Sequence, residues 1–202
     1  MNWTQIPDNK VIEETAAALA KNNIETFVVE TGDEAKKKFF ELLPEGSEVM
    51  VNSSLTLKDL GIASEVNESG RYKPLKDVLS KMDSKTQGVE KRRVGSGMQY
   101  ACGSAHAVTQ DGRVMMTSGS GSQIPGYAYG ADHIIWVIGA HKIVKDIDEG
   151  LKRIYEHSWP LENERMKDSG GSNPRRILIF NSENEGNKNR TKAIIVKKVL
   201  GF

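Results

Sequence analysis

Two short β-branched runs in the first 51 residues are each preceded by a stretch of helical periodicity, and this alternation constrains the fold more than any other feature. After the Pro7-Asp8 start signal, Ile12, Ala16, Leu19 and Ala20 recur at i, i+4, i+7 and i+8, which predicts an amphipathic helix over residues 8–22. Ile24 to Glu30, with Thr26-Phe27-Val28-Val29 at its centre, reads as a strand. Ala35, Phe39, Leu42 and Leu43 repeat the helical pattern until Pro44-Glu45-Gly46 stops it, and Val49-Met50-Val51 is a second, buried strand. Asn52-Ser53-Ser54 then offers cap residues for a helix from Leu55 to Leu60. Strands joined through helices favour a parallel sheet covered by helices.

Residues 61–97 are polar and glycine-containing, and predict only short helices. Beyond them, Tyr100-Ala101-Cys102 reads as a strand, Asp111-Gly112 as a turn, and Arg113 to Thr117 as another strand. Gln123 to Tyr129 reads as a helix interrupted by Pro125 and Gly126. His133 to Ile138 is apolar enough on both faces to be a central strand. Ile147, Leu151 and Ile154 mark a helix from about 145 to 157, and a further helical stretch runs from Leu161 to Lys167. Ile177 to Phe180 and Ala193 to Val199, joined by the polar Asn181 to Arg190, are expected to form an antiparallel hairpin at the end of the chain. The chain has 202 residues, which suits a single domain spanning 1–202.

Composition removes several classes of function. With 28 Lys and Arg against 27 Asp and Glu, no net field draws the chain to nucleic acid or to anionic lipid. The longest apolar run, Ile134 to Ala140, is far below the roughly 20 residues of a membrane helix, and no signal peptide is visible; we expect a cytoplasmic protein without membrane insertion. One cysteine, Cys102, makes no intrachain disulfide and does not by itself hold an iron–sulfur cluster. His106, His133, His141 and His157 lack paired ligand spacing, so no metal is expected. Neither a Walker sequence nor GxGxxG is present, and no GxSxG elbow marks a serine hydrolase.

Ligands of open α/β sheets bind at the carboxyl ends of strands, so the strand-to-helix turns are the places to search. Asn52-Ser53-Ser54 offers hydroxyls and free amides to an anion, or caps a helix and nothing more. Ser118-Gly119-Ser120-Gly121-Ser122 reads either as an anion cradle or as a flexible turn. Gly139-Ala140-His141-Lys142 places an imidazole and an ammonium after the central strand, where they serve a carboxylate or phosphate unless they are an ordinary surface pair. His106, just beyond Cys102, is a candidate proton carrier or a structural histidine. The clusters Lys36-Lys37-Lys38 and Lys91-Arg92-Arg93 read as solvated faces.

The ordering of motifs from Cys102 to Arg153 carries a resemblance. An Ala-x-Ala-x-Thr-x-Asp-Gly turn at Ala105 to Gly112, a short strand, the Ser-Gly-x-Gly loop, Tyr129-Gly130, then Val137-Ile138-Gly139-x-x-Lys142-Ile143-Val144 and an acidic helix resemble the core block of the LUD domain family of lactate utilisation proteins. The turn Asn52 to Leu57 and Pro160 to Arg165 with the following tail are similar too, whereas residues 65–97 match poorly. The resemblance implies a three-layer α/β/α fold with a mostly parallel central sheet, NagB/RpiA/CoA-transferase-like, with the hairpin at its end. It implies a cluster-free component assisting oxidation of L-lactate to pyruvate beside iron–sulfur partner proteins, with no cluster of its own and a small anion as ligand. The sequence departs from the family at His106 and His141, often Asn, and at Gln110, often Glu. The missing carboxylate removes a base or nucleophile of the kind related enzymes use, and His106, His141 and Lys142 become the candidate catalytic groups. A stand-alone enzyme or binding protein for a phosphorylated, CoA-linked or other anionic molecule, and a non-catalytic structural subunit, remain open beside this reading, as do the cofactor and a homo-oligomer.

Overall fold

The computed structural model describes residues 1–202. Six strands form the main sheet: β1 (Glu25–Val29), β2 (Glu48–Val51), β3 (Lys73–Pro74), β4 (Met98–Gly103), β7 (Ala131–Gly139) and β10 (Thr191–Val196). Their order is β1-β10-β7-β4-β2-β3, and every neighbouring pair is parallel. A second sheet of four strands orders β8 (Ile143–Val144), β5 (Ala107–Thr109), β6 (Val114–Ser118) and β9 (Arg176–Phe180), with β5–β8 parallel and the other two pairs antiparallel.

The middle of β7 explains the layering. Ile134, Trp136 and Ile138 point into one apolar cluster and Ile135 and Val137 into another, the two-residue alternation of a strand buried on both faces. The first cluster takes in Ile12 and Leu19 of α1 (Asn9–Lys21) together with Val108, Val114, Met116 and Phe180 of the second sheet. The second is closed by Ala35 and Phe39 of α2 (Gly32–Leu42), Leu57 of α3 (Leu55–Asp59), and Ile62 and Val66 of α4 (Ile62–Glu68). Helix α2 begins on a capping box, with Thr31 accepting from the Glu34 N–H and Glu34 accepting from the Thr31 N–H. A third, smaller cluster of Ala107, Met115, Val144 and Ile154 packs α7 (Ile147–Arg153) onto the outside of the second sheet. The result is the expected three-layer α/β fold with a parallel centre. No helix is long and apolar enough to cross a membrane.

The polar stretch contains α4, α5 (Leu75–Ser80) and α6 (Gly88–Val94). Helix α7 stops at Arg153 and continues as a π-turn over Ile154–Ser158 into α8 (Trp159–Arg165). The expected helix over 123–129 is present as a helical segment at 124–130, with Ile124 and Pro125 leading into a π-turn over Gly126–Gly130.

The C-terminal hairpin does not form. Strand β9 pairs antiparallel with β6 in the second sheet, while β10 inserts between β1 and β7 in the main sheet. The burial of the two runs gives the reason. Ala193 to Val196 are all buried, as a strand with helices or sheet on both faces must be, whereas only Phe180 of β9 is fully buried.

Candidate functional site

Strand β3 lies on one side of β2 and β4 on the other, so the chain reverses direction across the sheet between β2 and β4. The carboxyl ends flanking such a reversal form the crevice where open α/β sheets bind ligands. The Asn52 N–H donates to the Cys102 carbonyl (2.9 Å), which carries the β2–β4 ladder to the rim of that crevice. Ser54 caps α3, its hydroxyl accepting from the Leu57 N–H (3.3 Å), and Ser53 is exposed beside it. Gly103 ends β4 against the fully buried Tyr127, so closely that a Cβ there would lie 1.9 Å from the Tyr127 hydroxyl oxygen and 3.7 Å from Asn52 Cβ. That hydroxyl has no hydrogen-bond partner.

Lys142 reaches this rim from the 3-10 turn Ala140–Lys142 that follows β7. It is only 2% exposed, and its Nζ donates to Thr56 Oγ1 (3.2 Å) and Ser104 Oγ (3.3 Å), with no carboxylate among its partners. Burial, reinforced by the Arg153 charge and only weakly opposed by Asp59, pushes its pKa down to about 7. The amine is therefore poised between its two forms near neutrality.

Arg153 stands on the other side of the same segment. It is 0% exposed, and its Nη1 donates to the His106 carbonyl (2.5 Å) and to Ser158 Oγ (2.9 Å). Its Nε and Nη2 are buried without partners, and burial alone brings its pKa down to about 10.

His106 accepts the Thr117 N–H at Nδ1 (3.2 Å), which leaves the proton of the neutral ring on Nε2. Burial first, then Lys142 and Arg153, push its pKa down to about 3. His141 is buried with both ring nitrogens unpartnered, and burial with the same two cations also takes it to about 3. It lines a cavity of about 270 Å³ whose other walls include Met1, Trp3 and Glu149. His157 is lowered too, by burial and by Arg153 and Lys142. His106, His141 and His157 are thus all held toward the neutral form by burial and by the same two basic groups, Lys142 and Arg153.

The Ser118–Ser122 loop leaves β6 next to His106, through Thr117. Within it Ser118 Oγ accepts the Gly121 N–H (2.9 Å), Ser120 and Ser122 hydroxyls bond each other (2.9 Å), and Arg176 donates to the Gly119 carbonyl (3.1 Å). Gly121 holds a φ of +82° with the Arg176 side chain packed where a Cβ would stand. The Gly121 and Ser122 amides are engaged inside the loop by serine hydroxyls.

No three His, Cys, Asp or Glu side chains gather into a metal-ligand set. The chain's residues do not fit an iron–sulfur cluster either: Cys102 is fully buried in β4, and burial holds its thiol far above its ordinary range.

With this geometry in place, the match to known proteins acquires meaning. The LUD domain family model matches residues 12–196. The chain belongs to the LUD domain family. Its fold is similar to the crystal structure of a DUF162 family protein from Deinococcus radiodurans, with a TM-score of 0.58 and 10% identity, covering 95% of this chain and 99% of that one. No curated protein matches the sequence. In this LUD domain protein, sequence reasoning singled out Lys142, His106 and His141 but missed Arg153, Thr56, Ser104 and Tyr127. A signal for Arg153 existed: it lies three residues after Gly150 and one before Ile154, on the buried face of α7.

Proposed function

We propose that this LUD domain protein serves lactate utilisation by holding a small 2-hydroxy or 2-oxo acid anion at Lys142, while iron–sulfur partner proteins carry the electrons. Conversion of L-lactate to pyruvate releases two electrons and two protons, and in this reading the electrons pass to the partners' clusters. The supporting observation is Lys142 itself, a buried amine bonded only to hydroxyls at the crevice between β2 and β4. A charge so placed stabilises an incoming anion far more strongly than a surface lysine does, because little water screens it. Its pKa of about 7 also makes it the group best matched to exchanging a proton near neutrality, ahead of His106 and His141. Asn52, Ser53 and Ser54 form the proposed inner wall of the ligand site, and Ser118, Gly119, Ser120, Gly121 and Ser122 its outer wall.

The test is a thermal-shift titration with L-lactate, pyruvate, sugar phosphates and CoA esters. A ligand at about 100 times its Kd adds roughly 2.7 kcal/mol, or some 5–10 °C for a chain of this size. A shift with lactate or pyruvate that disappears in Lys142→Met supports the reading. Two buried cations also suit a phosphorylated or CoA-linked anion, and a shift confined to those ligands would replace lactate with that class.

A further inference from the structure

Arg153 is the one fully buried arginine in the chain, and three of its five N–H donors are idle. Nη1 is anchored to the His106 carbonyl and Ser158 Oγ, which fixes the plane of the guanidinium. Nε and Nη2, both buried, have no acceptor. A buried guanidinium with unpaired donors is strongly unfavourable, and an oxyanion accepting from them would relieve that cost.

The two idle nitrogens are not arbitrary. Nε and Nη2 share one edge of the guanidinium, the edge that grips a carboxylate with two parallel bonds. The same chain displays that grip on its surface, where Arg165 holds Glu162 through Nε–Oε2 and Nη2–Oε1, each 2.7 Å. The anchoring contacts also fix where the edge lies along the chain. Lys142 bonds the side chain of Ser104 and Arg153 bonds the carbonyl of His106, two residues further on. The two cations are thus anchored two residues apart on one segment, near enough for the Arg153 charge to act on Lys142.

We infer that the Nε/Nη2 edge of Arg153 is an oxyanion fork, which binds the carboxylate of the small acid bidentately. The assignment of a carboxylate rests on the proposed function; the fork itself accepts any oxyanion of that geometry, free phosphate included.

The experiment is isothermal titration of the full chain and of Arg153→Lys and Lys142→Met with sodium L-lactate, sodium pyruvate, lactamide and inorganic phosphate. Arg153→Lys keeps the charge and removes the fork, so lactate and pyruvate are expected to bind about tenfold more weakly, while uncharged lactamide binds neither protein. Undiminished lactate binding in Arg153→Lys, with binding lost in Lys142→Met, overturns the fork and leaves the lactate reading standing. Phosphate binding that Arg153→Lys weakens, with no binding of lactate or pyruvate, supports the fork and overturns the lactate reading. Absence of binding by all four compounds overturns the fork. Should Arg153→Lys fail to fold, the unmodified protein still answers: one arginine Nε–H signal in its nitrogen-15 spectrum is expected to become protected from exchange on adding pyruvate or phosphate and to stay unchanged with lactamide. If no signal changes with either anion, the fork does not exist.

Discussion

Replacing Lys142 with methionine is expected to stabilise the unliganded protein, and the size of the gain follows from its surroundings. Burial takes the amine from its ordinary pKa of 10.5 to about 7. At pH 7 the unfolded chain carries the lysine fully charged, and the folded chain carries it half charged, so the group disfavours folding by about 4 kcal/mol. Methionine has nearly the same length and removes that penalty. The hydrogen bonds to Thr56 and Ser104 are lost, at about 1–2 kcal/mol. Neither hydroxyl is stranded as a donor, because Thr56 Oγ1 donates to the Leu200 carbonyl (3.0 Å) and Ser104 Oγ faces the Ala105 carbonyl (3.4 Å). The net gain is about 2–3 kcal/mol, or roughly 5–10 °C in Tm for a chain of this length. The pH dependence gives the sharper check. A depressed amine pKa leaves stability intact above pH 10.5 and removes it as pH falls towards 7, so the variant must pass from about 1–2 kcal/mol less stable than the parent near pH 10.5, where only the lost hydrogen bonds count, to more stable near pH 7. Urea unfolding of both proteins at intervals from pH 7 to 10.5, in a buffer free of phosphate and carboxylates, measures it. A variant less stable than the parent at pH 7, or an advantage independent of pH, would refute the picture of an uncompensated buried cation.

The remaining predictions concern the frame around the site. Glu183→Gln breaks a 2.6 Å ion pair with Arg190 whose two members are 6% and 10% exposed, and should cost about 3–5 kcal/mol by chemical denaturation; a loss below 1 kcal/mol would show that the pair is not shielded from water. Gly103→Ala drives a methyl group into the Tyr127 hydroxyl and should destabilise by about 1–3 kcal/mol, with Tyr127→Phe recovering part of the loss in a double-mutant cycle; additive effects would place the two residues apart. His141, with its pKa pushed from 6.5 to about 3, favours folding while neutral, so stability should fall as pH drops from 6.5 towards 3 by up to about 1.4 kcal/mol per unit from this group. His141→Leu should flatten that part of the acid limb, and an unchanged slope would mean that the ring is reached by water.

The parts of the fold legible in the sequence are those in which one local pattern has one structural solution. The spacing of Ile12, Ala16 and Leu19 has only the helix α1 as its outcome, and the run His133 to Ile138, apolar on alternate and intervening positions, has only a strand covered on both faces. The C-terminal runs had two solutions. Adjacency along the chain suggested a hairpin, but Ala193 to Val196 needed partners on both edges and cover on both faces, which only the slot between β1 and β7 provides. The site divides in the same way. Lys142 was visible because it follows the central strand. Arg153 was not, because a basic residue in the last turn of a helix is usually explained by the helix dipole alone, and its burial arises from the second sheet, which the sequence did not disclose.

The two ends of the main sheet make the functional argument by contrast. At the amino ends of β7 and β10, Arg190 is nearly buried and completely provided for: it bonds Glu183 and the carbonyls of Ala131, Gly126 and Tyr127, and Thr191 donates to the same carboxylate. That is how this chain accommodates an arginine whose task is to hold structure. At the carboxyl side, Lys142 and Arg153 are buried more deeply and receive hydroxyls and one carbonyl, with no carboxylate bonded to either. A fold that neutralises a buried cation at one end of its sheet and leaves two uncompensated at the other, on the side where parallel sheets bind ligands, has left the second charge balance for an anion from outside to complete.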